Sequence, residues 1–169
     1  MTSKHRMSTK EIVYLAAMIA VTVAISRVFL IPVPMTHGNV NLCDAGIFIA
    51  ALLFGKKQGA IVGGASGFLL DLISGYSQYM IFSLIIHGVE GFLVGWLAEK
   101  YGHLGKIASL IVGIVWMVFG YFLADSLLYQ IQTGLVGLPT NSIQGLLGAL
   151  IAYPVYLGIR SRVKNPSHS

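Results

Sequence analysis

The feature that most constrains this chain is a succession of apolar runs, cut apart by short polar or Gly/Pro stretches. A helix needs about 20 predominantly apolar residues to traverse the hydrocarbon core of a bilayer. Six runs reach or approach that length: Ile12 to Ile31, Cys43 to Phe54, Gly59 to Ile73, Met80 to Ala98, Ile107 to Tyr129 and Ile143 to Ile159. In lipid each backbone N–H and C=O must be satisfied without water, which leaves helices as the economical answer for runs of this kind. The expectation is an all-α polytopic membrane protein with six transmembrane helices, folded as a single domain over 1–169. Composition agrees, since only 10% of the residues are charged, against roughly 25% in soluble domains.

The second and third runs are short enough to read as a hairpin dipping into the membrane. If all six cross, one side of the membrane receives the N-terminal tail, the Lys56-Lys57 loop, the Glu99 to Lys106 loop and the C-terminal tail. Those segments hold Lys4, Arg6, Lys10, Lys56, Lys57, Lys100, Lys106, Arg160, Arg162 and Lys164, ten of the eleven basic residues. The opposite loops, around His37, Ser77 and Gly137, hold none. Basic residues are retained on the cytoplasmic face, so both termini are expected there, and a re-entrant reading of the short runs keeps the same parity. Basic residues gathered in short juxtamembrane loops account for the net charge of +5 through topology and anionic lipid, not nucleic acid. The single cysteine, Cys43, excludes an internal disulfide and reads as a packing residue.

Helices in lipid associate through small residues that let backbones approach closely. One such ladder is Gly59, Gly63 and Gly67 in the third run, read as internal packing. Another is Ala16, Ala20 and Ala24 in the first, which suits either internal packing or a smooth face for a separate membrane subunit.

Ionisable groups at membrane depth are costly and mark function by default. Four of the six acidic residues, Asp44, Asp71, Glu90 and Asp125, fall in or at the edge of the runs. Arg27, near the outer end of the first run, is expected to pair with Asp44 or Asp71, because a buried charge needs a partner. Ser83, His87 and Glu90, at i, i+4 and i+7, share one helix face. Tyr121, Asp125 and Tyr129 repeat the device four residues apart. Asn141 and Gln144 follow Pro139, which is placed in an outer loop. With His37, Asn39, Asn41, Tyr76, Tyr79 and Gln132 near the outer ends, these groups are expected to converge on an outward-facing cavity, aromatic-walled and polar-edged, for a flat ring. His87 and Glu90 have an alternative as a pair that locks the bundle, and Tyr121 and Tyr129 as members of an interfacial aromatic belt.

Other motifs fall short. Gly64-Ala65-Ser66-Gly67 has the G-x-S-G form of an intramembrane serine protease, but the fifth and sixth runs supply no histidine base. His87 and Glu90 offer two metal ligands without an H-E-x-x-H or Cys/His cluster, so no metal site is expected. Gly55-Lys56-Lys57 lacks the rest of a phosphate-binding loop, and no inverted repeat for alternating access is evident. A small bundle with a cavity and no energy source implies a partner.

The chain resembles the S components, the substrate-binding membrane subunits of energy-coupling factor (ECF) vitamin transporters, in the group of hydroxymethylpyrimidine and pyridoxine carriers. The segments that carry the likeness are Ala16 to Ala24 with Ser26-Arg27, Asn41-Leu42-Cys43-Asp44-Ala45, Phe54 to Ala60, Asp71 to Tyr76, and Gln144-Gly145. The resemblance implies six helices and capture of a small vitamin in an outward pocket. It also implies docking through the alanine ladder on a transmembrane scaffold (T component) that carries two ATPases, which bind the ATP and Mg. The subunit itself would hold no cofactor, catalyse nothing, and tip in a bacterial plasma membrane to release its vitamin inside. Pantothenate and riboflavin remain alternative ligands, with a stand-alone proton-coupled carrier or a hydrolase as rival functions.

Overall fold

The computed structural model describes residues 7–34 and 38–162, with the side chain of His103 excepted. His37, Lys4, Arg6 and Lys164 therefore lie outside the described residues. The described residues form six helices: α1 Thr9–Val28, α2 Cys43–Phe54, α3 Lys56–Ser74, α4 Met80–Lys100, α5 Gly102–Leu128 and α6 Ile131–Ile159. Among them a minimal antiparallel ribbon between α1 and α2, β1 Ile31–Pro32 with β2 Asn39–Val40, departs from an all-α architecture.

Four helices, α1, α4, α5 and α6, are long and apolar enough to cross a membrane. Their lipid-side residues stay uncovered, among them Val28, Leu127 and Leu150. Helix α2 is different. At 12 residues it rises about 18 Å, short of a hydrocarbon core of about 30 Å. It is instead the centre of the bundle, with Cys43, Ile47, Phe48 and Ala50 fully buried and α1, α3, α4 and α6 packed around it. Asn41 starts it by accepting the Cys43 N–H at 2.7 Å, in the manner of an Asx turn.

The glycine ladder of α3 faces α4. A methyl group at Gly63 would collide with the His87 carbonyl, and at Gly59 with the Gly91 carbonyl. This contact sets how deep His87 sits. On α6, Gly148 lies against Asp44 and Ala45 of α2, which draws Gln144 towards the start of that helix.

The sequence placed Pro139 in an outer loop, whereas α6 begins at Ile131 and continues through both Pro139 and Pro154. Proline removes one backbone donor from the ladder. Around Pro139 the hydroxyls of Thr140 and Ser142 donate to the carbonyls of Gly137 at 2.9 Å and Leu138 at 2.7 Å. The donor lost at Pro139 is the one that would serve the Leu135 carbonyl, and helices in lipid tolerate such a loss where their surroundings re-satisfy it.

Candidate functional site

At the end of the bundle remote from Lys56 and Glu99, the ribbon, the loop before α2, the end of α3, the start of α4, and α5 and α6 enclose a cavity. Counting its open mouth, the space between them is about 480 Å³. Val33 and Gly38, next to the ribbon, and Asn39 of β2 are part of its lining.

Seven of the residues expected to converge do line it: Asn39, Asn41, Tyr79, Tyr121, Asp125, Asn141 and Gln144. Two hydrogen-bonded pairs fix the walls. The Tyr79 hydroxyl donates to Asp125 Oδ1 at 2.5 Å, joining α4 to α5. The Asn41 backbone N–H donates to Gln144 Oε1 at 2.9 Å, joining the pre-α2 loop to α6, while the Asn41 amide reaches Asn39 Oδ1 at 2.8 Å. The rings of Tyr79, Tyr121 and Tyr129 sit with centroids 6.4 and 6.3 Å apart across Tyr79, giving an aromatic wall.

Ser83, His87 and Glu90 do not line the cavity. They lie deeper along α4, where the Tyr121 hydroxyl meets Ser83 Oγ at 2.6 Å and His87 Nε2 at 3.0 Å and Asp71 also reaches Ser83. His87 Nδ1 in turn meets Glu90 Oε2 at 2.7 Å and stands 3.7 Å from Asp44 Oδ1. All three of these inner groups are buried, with exposures of 3%, 0% and 0% for His87, Glu90 and Asp44. Each offers a metal-ligating atom, and those atoms fall within 4.8 Å of one another.

The expected partnership of Arg27 with Asp44 or Asp71 does not form. Among the described residues the ion pairs are Lys56 with Glu99 and His87 with Asp44 and Glu90. Arg27 is on the exposed side of α1, whereas Asp44 points into the bundle and Asp71 lines the cavity. The reason is helical phase: Ser26, one residue earlier, takes the inward position and bonds the Thr22 carbonyl at 2.6 Å. Sequence reasoning thus missed Asp71 and Thr140 as lining residues and Asp44 as the neighbour of His87. Ser66, the nucleophile of the protease-like motif, is fully buried, and its hydroxyl has no hydrogen-bond partner. No base activates it.

A second concavity runs along α1, open and almost wholly apolar. Ala16, Ile19, Ala20, Val23, Ala24 and Arg27 form one wall with Leu69 and Ile73 of α3 as the other. The alanine ladder faces outward here, exposed at all three rungs.

Comparison with known proteins adds the following. Residues 6–161 match the family model of the ECF-type riboflavin transporter, S component. The thiamine precursor transporter HmpT of Lactococcus lactis subsp. cremoris (strain MG1363) is 42% identical over 144 residues, covering 85% of this chain and 83% of its own. An uncharacterized protein of Pyrococcus woesei is 34% identical over 122 residues, 72% of this chain and 82% of that one. Among solved structures, the S component for biotin from an ECF-type ABC transporter superposes with a TM-score of 0.63 at 23% identity, covering 89% of this chain and 94% of that one. The likeness is therefore one of fold as well as sequence.

Proposed function

The chain belongs to the family of S components of ECF-type transporters, and from that premise we propose that its cavity captures a one-ring thiamine precursor of the hydroxymethylpyrimidine type. As the substrate-binding subunit of an ECF-type ABC vitamin importer it carries out transport without catalysis. The observation that carries the choice of ligand is the cavity itself. A flat ring can lie against Tyr79 and Tyr121, with Asn39, Asn41, Asn141, Gln144 and Asp125 around its edge as donors and acceptors. Ser83, His87 and Glu90 support that wall from below through the Tyr121 hydroxyl.

The name of the relative that is 42% identical supports a thiamine precursor. The family model carries riboflavin in its description, so a flavin, with three fused rings, is the rival ligand for the same cavity. Pyridoxine, also one ring with hydroxymethyl groups, is the second candidate on the same grounds.

In this reading the chain crosses the plasma membrane of a bacterial cell six times, with the short α2 inside the bundle, both termini are cytoplasmic, and the cavity opens outward. A T component docks on the α1 groove at Ala16, Ala20 and Ala24, and two ATPases supply ATP hydrolysis with Mg. The family's toppling cycle then delivers the vitamin inside. The deciding experiment is calorimetry of purified protein against a panel of water-soluble vitamins and precursors. Tight binding of hydroxymethylpyrimidine is expected, with Asn141→Ala weakening it; silence across the whole panel would refute the assignment. Uptake by vesicles lacking the ATPases would instead favour a stand-alone carrier.

A further inference from the structure

The cluster beneath the cavity has a composition that a vitamin pocket does not explain. Asp44 and Glu90 are both fully buried and face each other beside Gln144, and Asp44 Oδ1, Asp44 Oδ2 and Glu90 Oε1 meet no backbone N–H, hydroxyl or cationic donor. Ionised carboxylates in an apolar interior cost several kcal/mol unless a positive charge or a proton neutralises them. No lysine or arginine among the described residues pairs with either group. What faces them is the Nδ1 of His87, at 2.7 Å from Glu90 and 3.7 Å from Asp44.

We propose that Asp44, His87 and Glu90 form a buried site for a first-row divalent metal ion of the zinc class. One imidazole nitrogen and two carboxylates are a mixed N/O set, which suits such an ion better than Mg²⁺ or Ca²⁺, whose sites are built of oxygen. Zinc holds nitrogen and oxygen ligands at about 2.0–2.2 Å, which sets tetrahedral donors about 3.4 Å apart. The His87 to Asp44 separation of 3.7 Å is close to that value. The tighter His87 to Glu90 contact is a hydrogen bond, and it opens when its proton leaves.

The other face of His87 is arranged for the same purpose. Its Nε2 meets the Tyr121 hydroxyl at 3.0 Å, and that hydroxyl meets Ser83 Oγ at 2.6 Å. When Nε2 carries the proton and donates it to Tyr121, Tyr121 donates onward to Ser83, and Nδ1 presents its lone pair to the two carboxylates. Metal-bound histidines are generally held in this way by a partner on the far nitrogen. Binding then releases the proton shared between His87 and Glu90 to the solvent, and the ion neutralises the two carboxylates.

The test is a titration of the full-length protein in detergent, stripped with chelator and free of vitamin, so that its result is independent of what the cavity binds. Zn²⁺ is expected to bind at one equivalent with release of a proton, read by calorimetry in buffers of different ionisation heat. Asp44→Asn and Glu90→Gln should each lower the affinity roughly 10–100-fold, while Glu99→Gln, on the exposed pair with Lys56, should not change it. Zinc binding that survives both substitutions would locate the ion at surface groups and overturn the proposal. So would no binding by protein that still shows a cooperative unfolding transition. If the variants do not fold, the unsubstituted protein decides through Co²⁺. Intense visible bands of a low-coordinate histidine site support the assignment, and the pale spectrum of a hydrated ion refutes it.

Discussion

At the scale of single residues, Tyr121 is the joint of the site. Its ring forms cavity wall, and its hydroxyl joins that wall to both Ser83 and His87. Tyr121→Phe keeps the ring and leaves two buried polar groups short of a partner, a loss of about 1–3 kcal/mol. We expect vitamin affinity measured by calorimetry to fall roughly tenfold, and an unchanged Kd would mean that the ring alone matters. Part of the cavity was legible in the sequence, because Tyr121 and Asp125, and Asn141 and Gln144, recur at helical spacing, whereas Ser83, His87 and Glu90 share such a spacing and lie beneath the cavity. Asp44 was not, since its partner is on another helix and no local spacing announces it. Arg27 misled for a related reason. Charge complementarity with Asp44 and Asp71 was visible, but a single residue of helical phase gives Ser26 the interior and Arg27 the exterior.

At the scale of elements, the α3–α4 contact is where packing sets function, because the Gly63 backbone lies directly on the carbonyl of His87. Gly63→Leu must push the two helices apart, and overpacking of this kind costs about 1–3 kcal/mol or more. The expected outcome is a lower unfolding midpoint in detergent together with weaker vitamin binding. Gly158→Ala, where nothing approaches within 4 Å, should be neutral or slightly stabilising by helix propensity. If both glycines respond alike, the close approach is not what matters. On the first helix, Ala20→Trp fills the α1 groove without reaching the cavity, so it should abolish co-purification with a T component and spare vitamin binding. The small-residue ladders were readable as patterns, yet only the fold separates an inward ladder from an outward one. The part of α6 before Ile143 escaped the sequence reading, because proline usually ends a helix in water and Pro139 stands among polar residues that look like a loop when read singly.

At the scale of the whole molecule, the bundle has two chemically distinct ends. Lys56, Lys57, Lys100, Lys106, Arg160 and Arg162 flank one, and the polar cavity occupies the other. Helix α4 runs between them, from Tyr79 at the cavity to Lys100, over a rise of about 30 Å that matches a bilayer core. This polarity turns the orientation inferred from charge into a labelling experiment. Cys43, the only native thiol, is fully buried, so the unsubstituted protein should be silent to a membrane-impermeant maleimide. Ser77 and Lys57 are exposed at opposite ends. Ser77→Cys should label in intact cells, and hydroxymethylpyrimidine should slow that labelling if the rim closes over its ligand. Lys57→Cys should label only after the cells are permeabilised. The reverse pattern would put the cavity on the cytoplasmic side, and capture of an external vitamin would then be impossible. Labelling of both positions from outside would mean that α3 does not cross, because the chain between Lys57 and Ser77 would begin and end on one face.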